Sequence, residues 1–122
     1  MLFNDLLAEN RIVHATCMIP RRCFDDVGLF DETLTSSEDI DMSLKLARKY
    51  PFRFVPEVLY YYRMYEGNTE NRLSRRRRYA NAAKTMDKHF MSARKSLDKP
   101  TKEKAARRLF SNVVASRNYG RL

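Results

Sequence analysis

The chain has 122 residues, enough for one domain with a modest core, and it is 43% hydrophobic, 32% charged and poor in Gly, with 3. Its net charge of +9 is unevenly spread: residues 1–71 hold 8 Lys/Arg against 12 Asp/Glu, and residues 72–122 hold 16 against 3. No apolar run approaches the roughly 20 residues that span a bilayer, no Gly-rich loop offers to cradle a phosphate, and the opening MLFNDLLAEN is too acidic and short to read as a secretory signal.

In chain order, Ile12–Ile19 (IVHATCMI) reads as a buried strand, being β-branched and apolar. Pro20 suits the first position of a short helix, RRCFDDV, which buries Phe24 and Val27, and Gly28 suits its end. Leu29 and Phe30 anchor the next corner. Glu38–Tyr50 carries Ile40, Leu44 and Ala47 at helical spacing, and Pro51 stops it. Phe52–Val55 and Val58–Tyr62 read as strands, broken by Pro56-Glu57. After Gly67-Asn68 the pattern turns helical. Leu73, Ala80, Ala83, Met86, Phe90 and Leu97 form an irregular stripe from about Thr69. Pro100-Thr101 starts a second helix with a face of Ala106, Leu109, Phe110, Val113 and Val114, closed by Gly120. These two helices are expected to form a hairpin. Cys17 and Cys23 lack zinc-ligand spacing and read as reduced, buried thiols of a cytosolic chain.

The segment Gly28–Tyr50 is the richest in chemistry. Thr35 with Glu38, and Ser36 with Asp39, are two registrations of a capping box. Both put Glu38 and Asp39 in the first helical turn, where unpaired N–H groups and the helix dipole favour an ionised carboxylate. A carboxylate so placed is a candidate general base, and it is equally a plain helix cap. Asp39-Ile40-Asp41 is the one Asp-x-Asp. Residues two apart on a helix point about 200° apart and cannot chelate one ion, so Asp41 reads as a solvated or capping acid.

An ordered set of segments carries a resemblance: NRIVHATCMIPRR (10–22), FDDVGLFDE (24–32), SEDIDMSLKLA (37–47) and FRFVPEVLYYYRMYEGN (52–68). Over residues 10–70 the chain resembles the C-terminal half of the catalytic domain of family 2 glycosyltransferases. The resemblance implies an α/β architecture: the C-terminal part of a GT-A fold, a few strands with flanking helices, followed by the helical hairpin. It divides the chain into a catalytic half at 1–70 and a basic helical tail at 71–122. The nucleotide-binding half, with the strand-end Asp-x-Asp that holds Mg²⁺ or Mn²⁺ in this family, is then missing. The chain is expected to be a truncated piece, inactive alone and binding no metal itself.

The resemblance further implies transfer of a sugar, with inversion, from a nucleotide-diphosphate donor to a carbohydrate or lipid-linked acceptor in surface polysaccharide or glycolipid assembly. Asp39 would be the base, and Glu38 would brace it. His14 would line the acceptor side, although a lone strand histidine also serves as an ordinary core residue. Arg63, at the end of Tyr60-Tyr61-Tyr62-Arg63, would fork onto the donor diphosphate or a carboxylate in the site, although the same run also reads as a packed aromatic strand with Arg63 solvated. Tyr65 stands where many relatives carry a histidine, and a phenol with a pKa near 10 is a poor metal ligand.

Arg75–Arg78 and the later cations read as a solvated helix face or as a patch for an anionic membrane surface. Peripheral attachment at the inner face of the cytoplasmic membrane follows from the second reading. Nucleic acid is disfavoured, because no recognition motif accompanies the charge. The competing reading of the whole chain is a non-catalytic basic module that binds anionic lipid or RNA on a glycosyltransferase-like scaffold.

Overall fold

The computed structural model describes residues 2–65 and 74–118. Every regular element among them is helical: α1 (Leu2–Ala8), a single 3-10 turn (His14–Thr16), α2 (Arg21–Val27), α3 (Glu38–Ala47), α4 (Arg75–Ala93) and α5 (Lys99–Asn118). The α/β expectation, with strands at 12–19, 52–55 and 58–62, is therefore overturned for the described residues.

The reason lies in hydrogen-bond partners. At 13–17 the backbone bonds to itself: Thr16 N donates to Val13 O and Cys17 N to His14 O, both at 2.9 Å, and the Thr16 hydroxyl also donates to Val13 O. Val13 and Cys17 keep extended dihedrals on either side, so the β preference survives locally without a ladder. Residues 51–65 likewise find no neighbouring strand. Apart from Phe52, their apolar side chains face outward, with Phe54 87% and Tyr61 88% exposed.

The core is built by helix faces instead. Phe3, Leu6 and Leu7 of α1 follow an i, i+3, i+4 spacing and are buried with Leu44, Met86, Ala93, Leu97 and Ala105. Ile40, Ala47, Phe90 and Leu109 pack around this cluster. A second cluster joins Cys23 of α2 to Met42 and Leu46 of α3, with Ile19, Phe24, Val27, Tyr50 and Phe52 partly buried against it. α3 is thus the central element, apolar on two sides. One core spans both the acidic and the basic parts of the chain.

Polar contacts fasten the ends. Arg108 of α5 donates to Leu6 O at 2.8 Å, satisfying a carbonyl that α1 leaves open. Arg48 donates to His89 O at 3.2 Å and Ser92 Oγ at 2.6 Å, and stacks 4.3 Å over the Phe3 ring. Gly28 ends α2 at φ 84°, a left-handed backbone that suits glycine.

α4 begins at Arg75, capped by Ser74 Oγ, which accepts from Arg77 N. The expected Gly67-Asn68 turn, the start from Thr69 to Leu73 and the stop at Gly120 lie outside the described residues. α5 starts one residue before Pro100, with Asp98 Oδ1 accepting from Thr101 N at 2.8 Å. Its inward face is rotated from the expected one: Ala105 is buried, while Phe110 is 70% exposed. Cys17 and Cys23 are both free thiols, half-buried and buried respectively.

Candidate active site

The approach to α3 is shaped by one strained residue. Ser37 is its N-cap, with φ 66° and ψ 12°, and its side chain makes no capping bond. It is the sole non-glycine residue of positive φ among those described. Such a conformation costs an L-residue roughly 1–2 kcal/mol. Because the chain turns there, Thr35 and Ser36 cannot reach the first helical N–H groups, and neither capping-box registration forms. Their hydroxyls instead meet the Asn81 amide of α4, at 2.9 and 3.1 Å. With its oxygen turned inward, Asn81 also accepts from the Ser36 and Thr35 N–H groups, at 3.1 and 3.3 Å.

The two candidate acids differ. Asp39 is partly exposed, and its Oδ1 accepts from Ile40 N at 2.8 Å, so the other carboxylate oxygen is left for outside chemistry. Glu38 is also partly buried, and its Oε2 lies inside with no hydrogen-bond partner in the protein.

His14 comes to α3 from the 3-10 turn. Its Nδ1 lies 3.5 Å from Ser43 Oγ, and its ring meets Phe30 edge-on with centroids 5.5 Å apart. Ser43 is one turn after Asp39, and residues four apart share a helix face. The structure therefore sets His14 along the Asp39 side of α3. Arg63 and Tyr65 are exposed, on the stretch that follows Pro51.

Asp41 was read as a solvated or capping acid, and the structure corrects this. Asp41 is 0% exposed. Its Oδ1 accepts from Lys88 Nζ at 2.9 Å and lies 2.8 Å from His89 Nε2, and Lys45 Nζ pairs with Oδ2 at 3.0 Å. The Lys45 geometry falls short of a hydrogen bond, so that contact is an ion pair alone. Burial by itself would raise the Asp41 carboxyl. The hydrogen bonds from His89 and Lys88, with the Lys45 charge, outweigh it and hold the group well below the usual carboxylate range. Lys88 also reaches Asp31 Oδ2 at 3.5 Å, and Lys84 donates to Thr33 Oγ1 at 3.0 Å. Asp31 in turn accepts from the Thr33 N–H and hydroxyl. One stripe of α4 (Asn81, Lys84, Lys88, His89) thus grips the corner and the start of α3.

These residues do not fit a divalent cation. Asp39 and Asp41 leave α3 on opposite sides, and Asp41 is already enclosed by cationic and N–H donors. Among the described residues no three His, Cys, Asp or Glu side chains converge. Nor is any described helix long and apolar enough to cross a membrane.

His89 escaped the sequence reading although its signal was present. It sits three residues after Met86 and four before Ala93, inside the apolar stripe of α4. A histidine at such a position needs a buried polar partner.

Among known families, the model of glycosyl transferase family group 2 matches residues 9–119. The match takes in α4 and α5 as well as the segments from 10 to 68 that carry the resemblance. No curated protein and no solved structure matches the chain.

Proposed function

The chain belongs to glycosyl transferase family group 2, and on that premise we propose that Asp39 is the base of an inverting sugar transfer from a nucleotide-diphosphate donor to an acceptor hydroxyl. One observation carries the assignment: of the two Asp residues in α3's first turn, Asp39 keeps solvent access while Asp41 is buried against α4, and the part-buried Glu38 turns one carboxylate oxygen inside. Asp39 takes the proton of the acceptor hydroxyl. The acceptor oxygen bonds to the anomeric carbon as the bond to the diphosphate oxygen breaks, and the electron pair leaves with the nucleotide diphosphate.

Glu38 braces Asp39, and His14 forms a wall on the same side of α3. Arg63 is assigned to the donor diphosphate through its planar fork, with Tyr65 beside it as a substrate contact. The described residues do not fit a divalent metal, so a Mg²⁺ or Mn²⁺ would be held by a nucleotide-binding half of the family, where it would stabilise the leaving diphosphate. The chain alone is then inactive. The acceptor class is a carbohydrate or a lipid-linked sugar of surface polysaccharide or glycolipid assembly.

A membrane contact fits the same reading. The excess cations of residues 72–122 favour an anionic leaflet at about 1 kcal/mol each near the surface. Co-sedimentation with anionic vesicles is expected to fall as salt rises, and equal binding to neutral vesicles argues against it.

The function is tested by assaying the chain alone, and joined to a nucleotide-binding half of the same family, against a panel of nucleotide sugars and acceptors. Product mass is the readout. Transfer is expected in the joined protein and is lost in its Asp39→Asn variant. Transfer that survives Asp39→Asn with the fold intact overturns the assignment.

A further inference from the structure

We propose that Asp41, gripped by Lys88 and His89 of α4, is the positioning residue for Asp39, fixing the rotation of α3 so that Asp39 faces the His14 side. The catalytic half of this inference rests on the reading of Asp39 as base. The geometric half stands alone.

The argument starts from helix geometry. Positions two apart are about 200° apart around the axis. Whatever holds Asp41 therefore dictates where Asp39 points. Asp41 has Lys88 Nζ at 2.9 Å and His89 Nε2 at 2.8 Å, both from α4, and Lys45 Nζ at 3.0 Å from its own helix. Asn81, about two turns earlier on α4, holds Thr35 and Ser36 just before α3 begins. Two grips two turns apart on α4 meet two levels of α3 and its approach. They set its axial position as well as its rotation.

Stability alone does not call for this network. A buried ion pair is often no better than apolar residues of the same volume, and its best-attested use is to fix register. Here α3 has apolar residues on two sides, Leu44 toward one cluster and Met42 with Leu46 toward the other. Apolar packing of that kind tolerates rotation. A carboxylate that accepts only from α4 at one angle does not. Lys88 adds a further tie, since it also reaches Asp31 of the preceding corner at 3.5 Å.

The test uses the full chain and a matched pair of variants. In His89→Gln the side-chain amide donates in place of Nε2, and in His89→Leu nothing does. The ¹H–¹⁵N resonances of Ser37–Ile40 are expected to move in His89→Leu and in Asp41→Asn, and to return toward the native positions in His89→Gln. In the active transferase, kcat is expected to fall about 10–100-fold in His89→Leu, the usual effect of a small misplacement, with KM unchanged. His89→Gln should recover most of that loss. Unmoved Ser37–Ile40 resonances in folded His89→Leu overturn the proposal, as does an equal kcat loss in the Gln and Leu variants. If His89→Leu does not fold, Lys88→Met replaces it, and the same resonances must move there or the proposal fails. Asp39→Asn measured alongside separates the two readings. Full rate in that variant removes the base assignment, while the resonances of Ser37–Ile40 still decide the anchor.

Discussion

Asp41 of α3 and His89 of α4 meet at 2.8 Å across 48 residues of sequence, with Asp41 0% exposed and His89 4% exposed. This contact makes the basic helical part of the chain a structural partner of the acidic part. It also separates the two acids of the Asp-x-Asp into different tasks. Asp41 is spent inward on α4, and Asp39 is left at the partly open start of the helix.

Substitutions of the two acids should therefore diverge. Asp39→Asn keeps an oxygen for the Ile40 N–H at 2.8 Å, so stability should change little. Activity in the complete transferase should fall by about 10²–10⁴-fold, the usual share of general acid–base catalysis. Asp41→Ala leaves the buried His89 Nε2 without its acceptor, while half-exposed Lys88 can turn to solvent, and should cost about 1–3 kcal/mol. Urea melts and turnover measured on both variants check this. Equal stability losses would show that Asp41 is not the buried partner described.

The acid limb of stability should belong largely to Asp41. Its folded-state pKa is depressed, so its contribution is present above the unfolded carboxylate value of about 3.9 and is lost as pH falls through and below it. Lys88 shifts the other way. Burial opposes its charge, but Asp41 and Asp31 raise it, so its share is present below about 10.4 and is lost at higher pH. Urea midpoints between pH 2 and 7 should drop steeply at the acid end in the native chain. In Asp41→Asn the curve should start lower and be flatter. An unchanged slope would place the titrating groups elsewhere.

Much of the helical content was legible, while the strands that composition suggests do not form among the described residues. α2 and α3 follow from Pro20, Gly28 and the Ile40, Leu44, Ala47 spacing, because local periodicity and the Pro and Gly boundaries determine them. α1 is absent from the sequence reading: Phe3, Leu6 and Leu7 carry the spacing, but a seven-residue helix gives a short signal that only tertiary packing stabilises. The strand reading of Ile12–Ile19 failed because composition reports a β preference, whereas a strand needs a partner at ladder distance. Glu38 and Asp39 were placed on the first turn correctly, while the caps were not. Asn81, 45 and 46 residues away, replaces the local box, and no spacing rule within 35–39 encodes that contact. Asp41 was misjudged for the same reason, since its burial depends on Lys88 and His89.

Ser37 should be improved by glycine. Relief of the left-handed strain is worth roughly 1–2 kcal/mol, against about 0.5–1 kcal/mol of added chain entropy in the unfolded state. The Ser37 side chain makes no capping bond that would be lost. Ser37→Gly is expected to raise stability by a few tenths to about 1 kcal/mol, and Ser37→Val, β-branched at φ 66°, to lower it. Thermal melts of the pair would decide it. A more stable valine variant would mean that the strain is not there.

The last prediction concerns alkaline titration at the α2–α3 junction. Tyr50 donates its hydroxyl to Asp26 Oδ2 at 2.8 Å, and Lys49 pairs with Asp26 Oδ1 at 2.6 Å. The hydrogen bond to Asp26, with a smaller share from burial and the Asp26 charge, pushes the Tyr50 phenol up to about 12. Ionising it would set a phenolate against the carboxylate and break the bond. The sign follows: the folded-state value exceeds the ordinary one near 10, so this contact stabilises below pH 10 and fades as pH rises toward 12. Phenolate absorbance should show one of the 7 tyrosines titrating late. Asp26→Asn removes the carboxylate charge and should return that tyrosine toward the common range, with little change in stability at neutral pH because the pair is exposed. A titration in which no tyrosine lags, or in which Asp26→Asn leaves the late one unmoved, would show that Asp26 does not hold the Tyr50 hydroxyl.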